Sequence, residues 1–174
     1  MMRRTDFLTT CAHTMGTSTL DITPTATTLN TTGLMFKLYH QFVGTIPGAL
    51  TGNSPQPATD SQRYADQPKT SSSGSTTYPL DMFAALTPDH KYVNLAVVNP
   101  MESEQKFDLS VTGCQLGGHS TLWQRTGKDL DAADRVGQPS QVEIREIPID
   151  NAPKAVSVAP ISVNIYRFPL AQAQ

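Results

Sequence analysis

The chain has 174 residues, enough for one ordinary domain with a buried core and a small appendage. Charged residues make up 16% and the formal net charge is −2. With so even a balance, and basic residues scattered except for Arg3 and Arg4, nothing in the chain grips nucleic acid or an anionic membrane surface electrostatically.

No apolar run approaches the ~20 residues of a membrane span. Thr9, Thr10, His13 and Thr14 interrupt any apolar core after Arg3 and Arg4, so the N-terminus does not read as a signal peptide. The compartment stays undetermined, with the cytoplasm as the simpler expectation. Cys11 and Cys114 are too few for a disulfide scaffold and read as free thiols, a single bridge being the alternative.

In chain order, three zones emerge. The first covers residues 1–48. Met1 to Phe7 reads as the last turn or two of a helix, and the Thr-rich stretch Leu8 to Met15 as a buried strand. A helix is expected over 30–43. Asn30 is placed to cap it, since its side-chain oxygen can accept from backbone N–H groups one turn on. Leu34, Leu38 and Phe42 recur at helical spacing beside Met35 and Tyr39. Gly44 is placed to end the helix and Pro47 prevents its resumption. So wide an apolar face needs a partner. Little else in the zone covers it, so the expectation is a homo-oligomer formed through the exposed helix face, the alternative being a helix folded back on the chain's own sandwich.

Residues 49–77 are rich in Pro, Ser, Thr and Gly, with Leu50 and Tyr64 almost alone as large apolar side chains. This zone reads as a polar linker or a surface loop.

Residues 78–170 read as β throughout. Leu80 to Leu86 runs into the turn residues Thr87, Pro88 and Asp89. Tyr92 to Asn99 places Val93, Leu95 and Val97 on one face, and Lys106 to Thr112 alternates through Phe107, Leu109 and Val111. His119 to Gly127 carries Leu122 and Trp123. Gln141 to Ile147 turns Val142 and Ile144 inward, and Ser162 to Phe168 is the last strand. Short strands separated by turn chemistry predict a mainly β protein, an antiparallel, jelly-roll-like β-sandwich. Gly127 to Pro139 is its longest interruption.

This order of elements resembles the C-terminal part of the α-L-arabinofuranosidases of glycoside hydrolase family 51. The helix ending Phe36-Lys37-Leu38-Tyr39, followed by Pro47, is similar to the last helix of the family's (β/α)8 barrel. Leu95 to Gly113 (LAVVNPMESEQKFDLSVTG) is similar to a hairpin of its trailing sandwich. Arg125-Thr126-Gly127 before a variable loop and the closing strand Ser162 to Phe168 also match. The resemblance implies that residues 1–48 are the end of a barrel left over ahead of the sandwich. It implies arabinose-containing polysaccharide as the substrate class of the parent enzyme, and no cofactor.

It also implies an absence. Family members are retaining hydrolases whose two catalytic glutamates lie upstream of the matching region, and retention needs two carboxyl groups about 5 Å apart. Glu102 and Glu104 fall in a hairpin turn, and Glu143 and Glu146 on an alternating strand; all four read as solvated surface. No catalytic residue is assigned. One barrel position carries over: the family's Ala-Gln pair on the eighth strand falls on Ala12 and His13, which makes His13 the candidate substrate-binding residue, with His in place of Gln.

Other groupings are weaker. Cys11, His13 and Asp21 are close in sequence, but a nucleophile, base and orienter need convergence in space and a lowered thiol pKa. His40, His90, His119 and Cys114 lack ligand spacing, so no metal is expected. Trp123 with Tyr78 and Tyr92 reads either as core or as a sugar-stacking platform, core being the simpler. Gly117-Gly118 lacks the context of a phosphate loop and reads as a turn.

Overall fold

The computed structural model describes residues 19–54, 76–129 and 131–171. The expected helix at 1–7, the strand at 8–15 and most of the linker lie outside them. The described chain is mainly β, with antiparallel sheets and one short α-helix, as the alternation of apolar residues predicts.

A hairpin of β1 (Leu20–Ile22) and β2 (Thr27–Leu29) leads into α1 (Thr31–Tyr39). Asn30 caps α1 as its position predicts: its side-chain oxygen accepts from Gly33 N–H at 3.0 Å. A 3₁₀ turn over His40–Phe42 ends the helix, and Gly44 follows with φ +71°, a left-handed conformation that favours glycine. Two residues later the chain joins a sheet as β3 (Ile46–Pro47), an edge position where proline's missing N–H costs no ladder bond. Beyond Pro47 the described residues form no strand before Asp81. Ser54 N–H donates to Thr76 C=O at 3.2 Å and Gly52 N–H to Thr76 Oγ1 at 2.9 Å, so the two ends of the linker meet.

The remaining strands are β4 (Asp81–Leu86), β5 (Tyr92–Asn99), β6 (Gln105–Asp108), β7 (Ser120–Gly127), β8 (Val142–Ile149), β9 (Ala155–Val158) and β10 (Ser162–Pro169). Five of them join β3 in one sheet, in the order β3-β4-β5-β10-β7-β8, and β6 pairs with β9 in a smaller one. All pairings are antiparallel.

The large sheet is covered on both faces. On one, Met82, Leu95, Val97, Leu122, Tyr166 and Phe168 pack with Val156 and Val158 of β9, which makes the sandwich. On the other, Phe83, Ala85, Ala96, Val163 and Ile165 pack with Leu38 and Phe42. Strand periodicity explains the division, because successive residues point to opposite faces. In β10, Val163 and Ile165 face the helix while Tyr166 and Phe168 face β9.

The helix face expected to seek another molecule is thus covered by the chain's own sheet. Leu38 and Phe42 are buried, and Met35 and Tyr39 pack beside them. Burying each large side chain stabilises by about 2 kcal/mol. This coverage is the fold-back alternative, and it corrects the expectation of a homo-oligomer built through an exposed helix face. Phe36, on the outer side, is the large apolar residue of α1 that remains half exposed.

Four strand readings change. The strand expected over 106–112 stops at Asp108, after which Leu109 N–H donates to Lys154 C=O and Val111 is exposed. Ala155–Val158, the β1–β2 hairpin and the two-residue β3 are strands that the sequence reading did not include.

Gly33 is fixed by close approach. A Cβ there would lie 2.2 Å from the Thr19 carbonyl oxygen and 2.8 Å from Leu29 Cδ2. Helix propensity alone favours Gly33→Ala by about 1 kcal/mol, but the overlap is with backbone and cannot be relieved by a rotamer change. The expected outcome is a net loss of about 1–3 kcal/mol in urea unfolding; a more stable variant would show that the hairpin does not rest there.

Tyr166 provides a pH test. Burial pushes its pKa up from 10.0 to about 12. The folded state therefore holds the phenol proton more tightly than the unfolded chain. The associated stability is intact below pH 10 and is lost as pH rises toward 12, on the order of 2 kcal/mol in all. Tyr166→Phe should lose measurably less stability than the parent between pH 9 and about 11.5, compared by denaturant midpoints at each pH.

Candidate functional site

The helix-side face of the large sheet concentrates the side chains with binding chemistry. Beyond the 3₁₀ turn, Tyr92 of β5, Arg167 of β10, Trp123 of β7 and Glu146 of β8 stand on four neighbouring strands. Strands lie about 4.8 Å apart, so the four residues lie across roughly 14 Å of sheet width, on a diagonal. The Arg167 guanidinium carbon lies 5.0 Å from the Trp123 ring centroid and 5.5 Å from that of Tyr92, within cation–π range of both. Arg167 Nε donates to Asn94 Oδ1 at 3.0 Å, and a terminal nitrogen donates to Gln41 Oε1 at 2.9 Å. Asn94, fully buried, in turn donates to the Gln41 carbonyl at 2.7 Å. Trp123 Nε1 donates to Glu146 Oε2 at 3.0 Å.

Register puts a second arginine on the same face. Arg125, two residues beyond Trp123 on β7, stands opposite Val163 and Ile144. It is half-buried, and its Nε is shielded from solvent without a hydrogen-bond partner. A buried donor left unpaired costs about 1–3 kcal/mol. Burial lowers the Arg125 pKa, and the nearby Asp134 carboxylate opposes that shift. Asp134 is itself committed: its Oδ1 accepts from Ser140 Oγ and from the N–H groups of Gln141 and Val142, at 3.1, 2.7 and 3.1 Å. These bonds fold the loop between β7 and β8 back on itself. Asp21 Oδ2 accepts from Val136 N–H at 2.7 Å and ties the same loop to the β1–β2 hairpin.

The sequence-derived candidates fare differently. His13 and Cys11 lie outside the described residues, so their grouping with Asp21 is not visible; Asp21 spends an oxygen on Val136. Glu102, Glu104, Glu143 and Glu146 are all exposed. Glu104 pairs with Lys106 at 3.2 Å and Glu143 with Arg145. Glu143 and Glu146, three apart on β8, point to opposite faces. Trp123 is half-buried at the edge of the core, between the two expected roles. Tyr92 joins it through Arg167, but Tyr78 does not. It precedes Asp81, which pairs with Val98 at the far end of β5.

Among the described residues no group of His, Cys, Asp and Glu converges as metal ligands. Cys114 is a free thiol, and His119 faces Asp150 at 3.9 Å on the open surface. Gly117-Gly118 makes a turn before β7, with Gly117 N–H bonded to Pro169 C=O. Arg125, Arg167, Gln41 and Asn94 are the members of the site that the sequence reading missed. A basic residue at alternate positions of an otherwise apolar strand, as at Arg167, was their one signal.

No protein-family model matches the sequence, and no curated protein does. Solved structures do match. The family 51 arabinofuranosidase of Xanthomonas axonopodis pv. citri aligns with a TM-score of 0.63 at 17% identity, over 86% of this chain and 28% of that one. An arabinose-bound family 51 α-L-arabinofuranosidase aligns with a TM-score of 0.58 at 14% identity, over 88% and 21%. The α-L-arabinofuranosidase of Thermotoga maritima, in its arabinose complex, is 26% identical over 52% of this chain and 19% of that one, with a TM-score of 0.44. This chain spans between about a fifth and just over a quarter of these enzymes. Its fold is that of one portion of the family 51 arabinofuranosidases.

Proposed function

We propose that this chain is the non-catalytic, C-terminal sandwich portion of an arabinofuranosidase-like glycoside hydrolase, which supports the barrel and lacks the catalytic glutamate pair. The observation that carries the reading is the match to 28% of the Xanthomonas enzyme at a TM-score of 0.63. The exposed placement of Glu102, Glu104, Glu143 and Glu146 supports it, since retention needs two facing carboxyl groups. In this reading residues 1–48 are the end of the barrel, 49–77 the linker and 78–170 the sandwich. The helical segment, seated on the sheet through Leu38 of α1 and Phe42 of the 3₁₀ turn, is the joint between the two.

A second reading is a self-standing module that binds arabinose-containing polysaccharide, or a small hydrolase acting on it. The row of Tyr92, Arg167, Trp123 and Glu146 favours binding over hydrolysis, because it offers rings and hydrogen-bonding groups without a second facing carboxylate.

Incubating the chain with 4-nitrophenyl α-L-arabinofuranoside separates these readings. No release of nitrophenol above the blank is expected. Turnover that vanishes in His13→Ala would overturn the supporting role. Retention on an arabinoxylan affinity gel without turnover would favour the binding module.

A further inference from the structure

The β1–β2 hairpin lies on the protein the opposite way round from an ordinary amphipathic element. In its register Leu20 faces Leu29, Asp21 faces Thr28 and Ile22 faces Thr27. Asp21 and Thr28 therefore share one side, and Leu20, Ile22, Thr27 and Leu29 the other. The polar side is turned to the sandwich, where Asp21 Oδ2 meets Val136 N–H, while Ile22 is half exposed. Neither apolar cluster of the large sheet includes a residue of 19–29. Among the described residues, the hairpin's hydrogen bond to the sandwich is the one from Val136. Its others reach Asn30 or close its own turn.

The receiving side is preformed. Gln138 N–H donates to Arg135 C=O at 3.2 Å, and Gly137 has φ +75°, so a turn fixes the residues on either side of Val136. Asp134, one residue earlier still, is held by Ser140, Gln141 and Val142. Behind the hairpin, the helical segment stays seated through Leu38 and Phe42. An element with few buried apolar side chains opens at low free energy, so one hydrogen bond to a carboxylate supplies much of what closes it. We propose that β1–β2 is a flap that opens as a unit about the Asn30 cap, and that the bond between Asp21 and Val136 is its latch. The flap's place between barrel and sandwich rests on the supporting role proposed above; the latch itself does not.

Amide hydrogen exchange on the full chain, followed residue by residue, tests this. In the parent, the Val136 amide should be protected, because the Asp21 carboxylate holds it. Asp21→Ala should speed exchange across β1 and β2 by about tenfold or more and leave β5 and β10 at the parent rate. Asp21→Asn keeps an oxygen acceptor and should recover most of the protection. A freely exchanging Val136 amide in the parent would overturn the latch without any substitution. Hairpin exchange unchanged in the Ala variant, or as fast in the Asn variant as in Ala, would overturn it too. Equal acceleration of β5 and β10 would show that the hairpin is no separate flap. None of these results bears on nitrophenol release, so the supporting role stands or falls separately.

Discussion

The structure depends on a β-sheet that is buried from both sides. Strands β5 and β10 sit at its centre, and in each a run of consecutive residues is removed from water. A strand with one wet face can carry polar residues at every second position at little cost. Here every backbone group and side chain must find its partner inside the protein. That requirement sets where the helix lies, which polar residues the core admits, and where the sheet face opens again to solvent.

In β5 and β10 the polar residues admitted are mostly amides. Asn94, Asn99 and Asn164 are almost wholly inaccessible, and each is bonded. Asn99, just before Pro100, donates to the carbonyls of Ser103, Val158 and Ala159 and accepts from Met101 N–H. It thereby closes the turn after β5 and ties the large sheet to β9. Asn164 donates to the Val97 carbonyl and Ser162 Oγ and accepts from Gln124. Asn94, on the opposite face, joins the end of the helical segment to Arg167. Desolvating an amide is tolerable when its hydrogen bonds are replaced, and a neutral side chain avoids the larger cost of a buried charge. Arg125 is the contrast: a charged group in the same sheet, with its inner nitrogen unmatched.

How far this was legible in the sequence varies by element. The Asn30 cap, the Gly44 stop and the limits of Tyr92–Asn99 follow from local chemistry, and local chemistry is what a sequence displays. The β1–β2 hairpin and Ala155–Val158 are three or four residues long and hold few large apolar side chains, so they give no periodic signal. The cover over the helix was misjudged for a different reason. Ala96 and Val98 alternate with Leu95 and Val97, and that unbroken apolar run, the mark of a strand covered on both faces, was read as one-sided alternation. The site was the least legible part. Trp123 and Tyr92 attract notice as aromatic residues, but Arg167 reaches them only because β10 inserts between β5 and β7, a pairing that no local pattern encodes.

That insertion has a consequence for biosynthesis. The strand that is latest in sequence occupies the middle of the sheet, so β3-β4-β5 and β7-β8 have no common border until Ser162–Pro169 has been made. While the ribosome is still elongating, the nascent polypeptide carries two half-sheets, each with a long unpaired rim rich in β-branched residues. Such rims are templates for mispairing between neighbouring copies. Chaperone dependence and low soluble yield should therefore respond most to changes in the final strand, even where those changes barely alter the finished molecule.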